Sequence, residues 1–173
     1  EALNRSITSL KWSTINIGSD GATSLTITDA FKTSSLTTRK GDDTLAVQTM
    51  LLSTVSLGDG NNSLTATTVS NSSITTGTGN DVLSLDAIEG STVVLGDGSN
   101  LFTAQKVTSS SVTAGADADT ATLANVTGST ISLGAGANTL SVSGTVASSN
   151  LVGGAGDDSF TLNDITASTV NLG

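Results

Sequence analysis

The sequence predicts an all-β fold, a parallel β-solenoid (β-helix or β-roll) of about nine stacked 19-residue coils with two short strands per coil. Three observations predict it. Coils open at Ser34, Ser53, Ser72, Ser91, Ser110, Ser129, Ser149 and Ser168, a spacing that stays at 19 or 20 residues. Apolar residues recur in columns at that same spacing, so each coil buries its apolar face only against its neighbours. Finally, the 173 residues contain no Pro, 2% aromatic residues and one Met. That composition excludes a thick conventional core and suits a chain whose backbone N–H groups are nearly all needed in ladders.

The coil from Ser53 to Asn71 shows how the elements arise. Val55 and Leu57 alternate with Thr54 and Ser56, the period of two expected of a half-buried strand. A turn, Gly58–Asn62, follows, built from the residue types that tight turns favour. Leu64 and Ala66 then alternate with Ser63 and Thr65, and Val69 adds a further apolar side chain. Inward columns run Ile15, Leu36, Val55, Ile74, Val93, Val112, Ile131, Leu151, Val170 and Leu25, Leu45, Leu64, Leu83, Phe102, Ala121, Leu140, Phe160. A third runs Met50, Val69, Ile88, Val107, Val126, Val146, Ile165. At strand spacing such a stack makes a rod about 40 Å long.

The array occupies residues 13–173, and residues 1–12 fit it least. Ala2, Leu3, Ile7, Leu10 and Trp12 suit either an entry helix that caps the stack or the last strand of a preceding coil, with Leu10 in the Val69 column. The Ser13 coil is longer by about two residues near Asp20–Thr23. The array also stops in mid-repeat, so the chain is expected to be a segment of a longer protein.

At the end of each glycine turn one column reads Asp43, Asn62, Asp81, Asn100, Asp119, Asn138, Asp158, a strict alternation. Duplication of a 38-residue unit accounts for its origin. Electrostatics accounts for its persistence, because carboxylates stacked in register repel unless they are staggered or share an ion. A four-sided coil of 38 residues is the alternative architecture.

The turns resemble the RTX (repeats-in-toxin) family of secreted calcium-binding proteins, whose nonapeptide is G-G-x-G-x-D-x-U-x. Gly153–Thr161, GGAGDDSFT, matches every specified place, and Thr76–Ser84, TGTGNDVLS, lacks only the first glycine. Leu57–Thr65 and Leu95–Thr103 keep two glycines and carry Asn at the sixth place. The resemblance implies Ca2+ as the cofactor, with Asp43, Asp81, Asp119 and Asp158 as carboxylate ligands and Asn62, Asn100 and Asn138 supplying carbonyl oxygens. It further implies ligation by the backbone of Gly58, Gly60, Gly77, Gly79, Gly96, Gly98, Gly153 and Gly156, with Asp59 and Asp97 completing sites from the neighbouring coil. Unlike the family's usual coil, the second turn of each repeat lacks the motif, so calcium would line one edge, with weak or empty sites near Ala116 and Ala135. Gly77–Asp81, GTGND, is also similar to a 19-residue variant of the family found in a calcium-bound, ice-binding adhesin solenoid. The Thr/Asn ladder of that variant is broken here, where the column reads Lys40, Asp59, Thr78, Asp97, Ala116, Ala135.

Charge and composition narrow the function classes. Net charge is −9, made of +2 over residues 1–40 and −11 over residues 41–173, where Lys106 is the one basic residue. A basic nucleic-acid footprint is missing, and a divalent cation suits the carboxylate-rich part better. Without His, Cys or Tyr, a His-based triad, a thiol nucleophile and a tyrosine acid are excluded, and the chain reads as non-catalytic. No apolar run is long enough for a transmembrane helix. The expected function is a structural calcium-binding segment of a large secreted bacterial surface protein: an adhesin stalk, surface-layer or matrix fibre that folds on calcium outside the cell. Expected partners are calcium, further copies of the chain joined end to end or laterally, and a cell-surface polysaccharide. The alternatives are an ice-binding solenoid using Ser/Thr ladders and a non-catalytic module of a secreted polysaccharide-modifying enzyme.

Overall fold

A computed structural model of the chain describes residues 3–18 and 20–173. Every strand pair among them is parallel, and the strands form a ten-stranded and a nine-stranded sheet that climb the stack in chain order. Leu83 is paired with Leu64 on one side and Phe102 on the other, so like residues stack at the 19-residue spacing. The chain is a parallel β-solenoid with two strands per coil.

The two strands of a coil differ in length. One has three to five residues, as in Thr54–Ser56 and Thr92–Gly96, and the other has eight to ten, as in Ser63–Ser70 and Thr23–Lys32. In the longer strand Leu64, Ala66 and Val69 are all buried, so two residues rather than one separate the last two inward side chains. The Cα pairing likewise passes from Leu85 to Ala87 without Asp86. The long strand therefore bends and covers two sides of the core. Coils with an extra residue take it up at this bend, where register shifts lie between Ile27 and Ala30 and between Leu123 and Val126. One of the two additional residues of the Ser13 coil sits there; the other lies before Ser24, near the expected place.

Both sheets contribute to a single core, in which Phe31, Val69, Val107, Val126 and Leu140 have no exposed surface. Burying each such side chain contributes about 1.5–3 kcal/mol, repeated coil after coil. Residues Leu3–Ile7 and Leu10–Lys11 are strands of the larger sheet and not a helix. Leu10 pairs with Phe31, Phe31 with Met50 and Met50 with Val69, which puts Leu10 in the predicted column. Glu1 and Ala2 lie outside the described residues.

The serines that open the coils form a buried ladder. Ser91 Oγ donates to Glu89 O at 2.8 Å and accepts the Ser72 N–H at 3.0 Å, and Ser34, Ser53, Ser72, Ser110, Ser129 and Ser149 repeat the pattern. The residue before each serine turns the corner with positive φ, from 47° at Asn71 to 57° at Gly128. A Ser91→Ala variant would leave the buried Ser72 N–H without a partner, while Glu89 O keeps the Asn71 N–H. The expected loss is about 1–3 kcal/mol, read from the urea midpoint.

Candidate metal centre in the Asp/Asn turns

The glycine turns stack backbone against backbone. Gly60 N–H donates to Thr78 O at 2.8 Å and Gly79 N–H to Asp97 O at 3.0 Å, so each turn is bonded to the next. Such close approach leaves no room for side chains: a Cβ on Gly77 would lie 2.3 Å from Gly58 O. Turn carbonyls are held in fixed positions as a result.

Inside the turns lies the alternating Asp/Asn column, in which Asp43, Asn62, Asp81, Asn100, Asp119 and Asn138 are each no more than 2% exposed. All members use Oδ1 in the same way. Asn62 Oδ1 accepts the Asp43 N–H at 3.1 Å, Asp81 Oδ1 the Asn62 N–H at 2.8 Å and Asn100 Oδ1 the Asp81 N–H at 2.9 Å. The ladder continues through Asp119 and Asn138 to Asp158, each bond 2.9 Å. At its other end Asp43 Oδ1 accepts the Thr23 N–H at 2.6 Å.

The second side-chain atom separates the two coil types. Asn62 Nδ2 donates to Gly58 O, Gly60 O and Thr76 O at 3.0–3.1 Å. Asn100 Nδ2 donates to Gly96 O at 3.2 Å and Gly98 O at 2.8 Å, and Asn138 Nδ2 to Gly136 O at 3.2 Å. With N–H donors on one atom and carbonyl acceptors on the other, the orientation of these amides is fixed. Their carbonyl oxygens are engaged in the ladder, and it is the NH2 that enters the turn. In the Asp coils the corresponding atom is an oxygen. Oδ2 of Asp43, Asp81, Asp119 and Asp158 is buried and has no hydrogen-bond partner.

A buried carboxylate oxygen without a hydrogen-bond donor is unfavourable unless a proton or a cation joins it. Burial, the largest influence, pushes the Asp81 and Asp119 carboxyls above the ordinary aspartate range. Opposing it are the Thr76 hydroxyl and the Asn62 backbone N–H at Asp81, and the Asn100 N–H at Asp119. Thr76 lies beside Asp81 but donates its proton to Leu95 O at 2.6 Å, so Oδ2 stays unsatisfied. At the last site Asp158 Oδ2 lies 2.2 Å from where a Gly153 Cβ would be, which only glycine permits.

Raised folded-state values give a definite pH dependence when no cation is present. The folded state then holds protons that the unfolded state has lost. This contribution to stability is complete below the unfolded value and disappears as pH rises through the folded one. In chelator, acidification from neutral toward the ordinary aspartate range is therefore expected to raise the melting temperature. An Asp81→Asn, Asp119→Asn double variant should lack that component. Wild type and double variant with the same pH profile in chelator would contradict it.

Asp59 and Asp97 lie on the exposed outside of the turns. Asp59 Oδ1 accepts the Thr78 hydroxyl at 2.9 Å, and Asp97 Oδ1 accepts the Ala116 N–H at 3.0 Å. Among the described residues no three acidic side chains converge as a ready metal cluster. Each Asp turn offers one buried carboxylate oxygen, and the shared register with the Asn turns brings backbone carbonyls to it, an all-oxygen set that fits a hard divalent cation such as Ca2+. Sequence reasoning missed an outer ladder, in which Asp42 accepts from Asn61, Asn61 from Asn80 and Asn80 from Ser99 at 2.7–2.8 Å. The polar column Asp42, Asn61, Asn80, Ser99 was its signal.

Comparison with protein-family models, curated proteins and solved structures returned no match.

Proposed function

We propose that this chain is a structural, non-catalytic solenoid segment of a large secreted bacterial surface protein, with calcium held in its Asp turns as in the RTX repeats it resembles. The observation that carries this reading is the set of four buried Asp Oδ2 atoms without partners. At millimolar extracellular calcium the ion joins each carboxylate to the surrounding carbonyls and offsets the −11 charge of residues 41–173. Where calcium is scarce, those carboxylates oppose stacking, and the chain stays loose enough for export. A stalk or fibre needs what such a rod supplies: length, stiffness and regular edges.

Circular dichroism during a calcium titration, with magnesium as control, tests the proposal. A calcium-specific gain of β signal or of thermal stability is expected. A fragment that is fully β in chelator, with a melting temperature that calcium does not move, would overturn it.

A second reading, carbohydrate binding, draws on a shallow trough along the bend of the long strands, lined by Thr65, Thr67, Ser84, Asp86, Thr103 and Gln105. Retention on polysaccharide affinity gels would favour it. The ice-binding alternative has less support, since Val82 and Leu101 are 44% and 39% exposed and interrupt the outward Ser/Thr ladder.

A further inference from the structure

Asn62, Asn100 and Asn138 close their turns with their own side chains. Each Nδ2 carries two polarised protons and meets at least two backbone carbonyl oxygens, as Asn100 Nδ2 does at Gly96 O and Gly98 O. In the intervening coils the 19-residue register brings Gly77 and Gly79 to the places of Gly58 and Gly60. There the side-chain atom is Asp81 Oδ2, buried and without a donor. The two coil types thus differ by one atom, positive in the Asn turns and negative in the Asp turns.

We infer that the amide nitrogens of Asn62, Asn100 and Asn138 act as built-in substitutes for a turn cation, so that cations are taken only by alternate coils, at Asp43, Asp81, Asp119 and Asp158. The inference rests on the calcium reading of those four turns. A cation entering an Asn turn would have to expel an NH2 already bonded to the carbonyls. It would find no free inward side-chain oxygen there, because Asn Oδ1 is bonded to the N–H of the preceding coil and Asp59 and Asp97 lie exposed on the outside of the turns. Occupied turns are then two coils apart, roughly 9.6 Å at strand spacing. By Coulomb's law, repulsion between ions at that distance is about half what adjacent coils would impose. The alternation therefore lets a long array hold cations without mutual exclusion, and the 38-residue pair of coils is its unit.

Bound calcium counted by equilibrium dialysis on wild type, Asn100→Asp and Asp81→Asn tests this. Wild type is expected to bind four ions, one per orphaned carboxylate. Asn100→Asp should bind one more and Asp81→Asn one fewer. A wild-type count near seven, the length of the whole Asp/Asn column, overturns the inference alone, as does an unchanged count in folded Asn100→Asp. No tightly bound calcium in wild type overturns the calcium reading and the inference with it. Should Asn100→Asp not fold, Asp81→Asn decides, because its amide is the side chain that neighbouring turns already accommodate. A count equal to wild type there also overturns the inference.

Discussion

A Gly96→Ala variant is expected to lose more than about 4 kcal/mol, enough to break the stack between two coils. The added Cβ would lie 1.7 Å from Gly77 O and 2.8 Å from Gly77 C, both backbone atoms of the adjacent turn. No rotamer change relieves such a clash, and Gly96 holds φ at +78°, where a side chain is strained in any case. Because coils contact only their neighbours, the damage should separate the array into two halves that melt independently. Gly128→Ala is the control. Its φ is +57°, but the nearest atom to its Cβ would be Ser109 Oγ at 3.7 Å, and other coils carry Leu52 or Ala167 at this corner. A cost of about 1 kcal/mol is expected there. Calorimetry of the two variants checks both figures, and equal losses would show that the turns are not packed as described.

Asp81→Asn is expected to raise stability in chelator by about 1–3 kcal/mol, the opposite of what loss of a ligand usually does. The substitution preserves shape and keeps Oδ1 in place to accept the Asn62 N–H. It replaces an oxygen that has no partner with a donor, in a turn whose neighbours at Asn62 and Asn100 show what that donor bonds to. It also removes a buried charge. With calcium present the sign is expected to reverse relative to wild type, since the variant forgoes the stabilisation that an ion binding only the folded state supplies.

Much of the architecture was legible because the solenoid repeats every physical constraint along the chain. Leu64, Leu83 and Phe102 declare a buried column by recurring at one spacing, and a stack of columns leaves few other folds open. Two features were harder to see. The bend in the long strand shows only as the two-residue gap between Ala66 and Val69, which reads equally as a break between strands. The coil-opening serines, visible as a repeat marker, gave no sign that their hydroxyls bridge coils, because Ser is ordinary on any polar face. At the turns the Asp/Asn alternation was plain, and charge repulsion explained only half of it. What the sequence could not reveal is that both residue types present the same Oδ1 to the same backbone N–H. The difference is confined to one atom, and seeing it requires the carbonyls of Gly58, Gly60, Gly96 and Gly98 in place. Asp59 and Asp97 illustrate the converse: their motif positions suggested ligands, and the fold turns them outward.

Whether a cation completes the Asp turns is read from the urea midpoint of wild type and Asp81→Asn, each measured in chelator and in millimolar calcium at neutral pH. The variant is expected to be the more stable protein in chelator and the less responsive one to calcium. A variant that is less stable than wild type in chelator, or that gains as much from calcium, would contradict it.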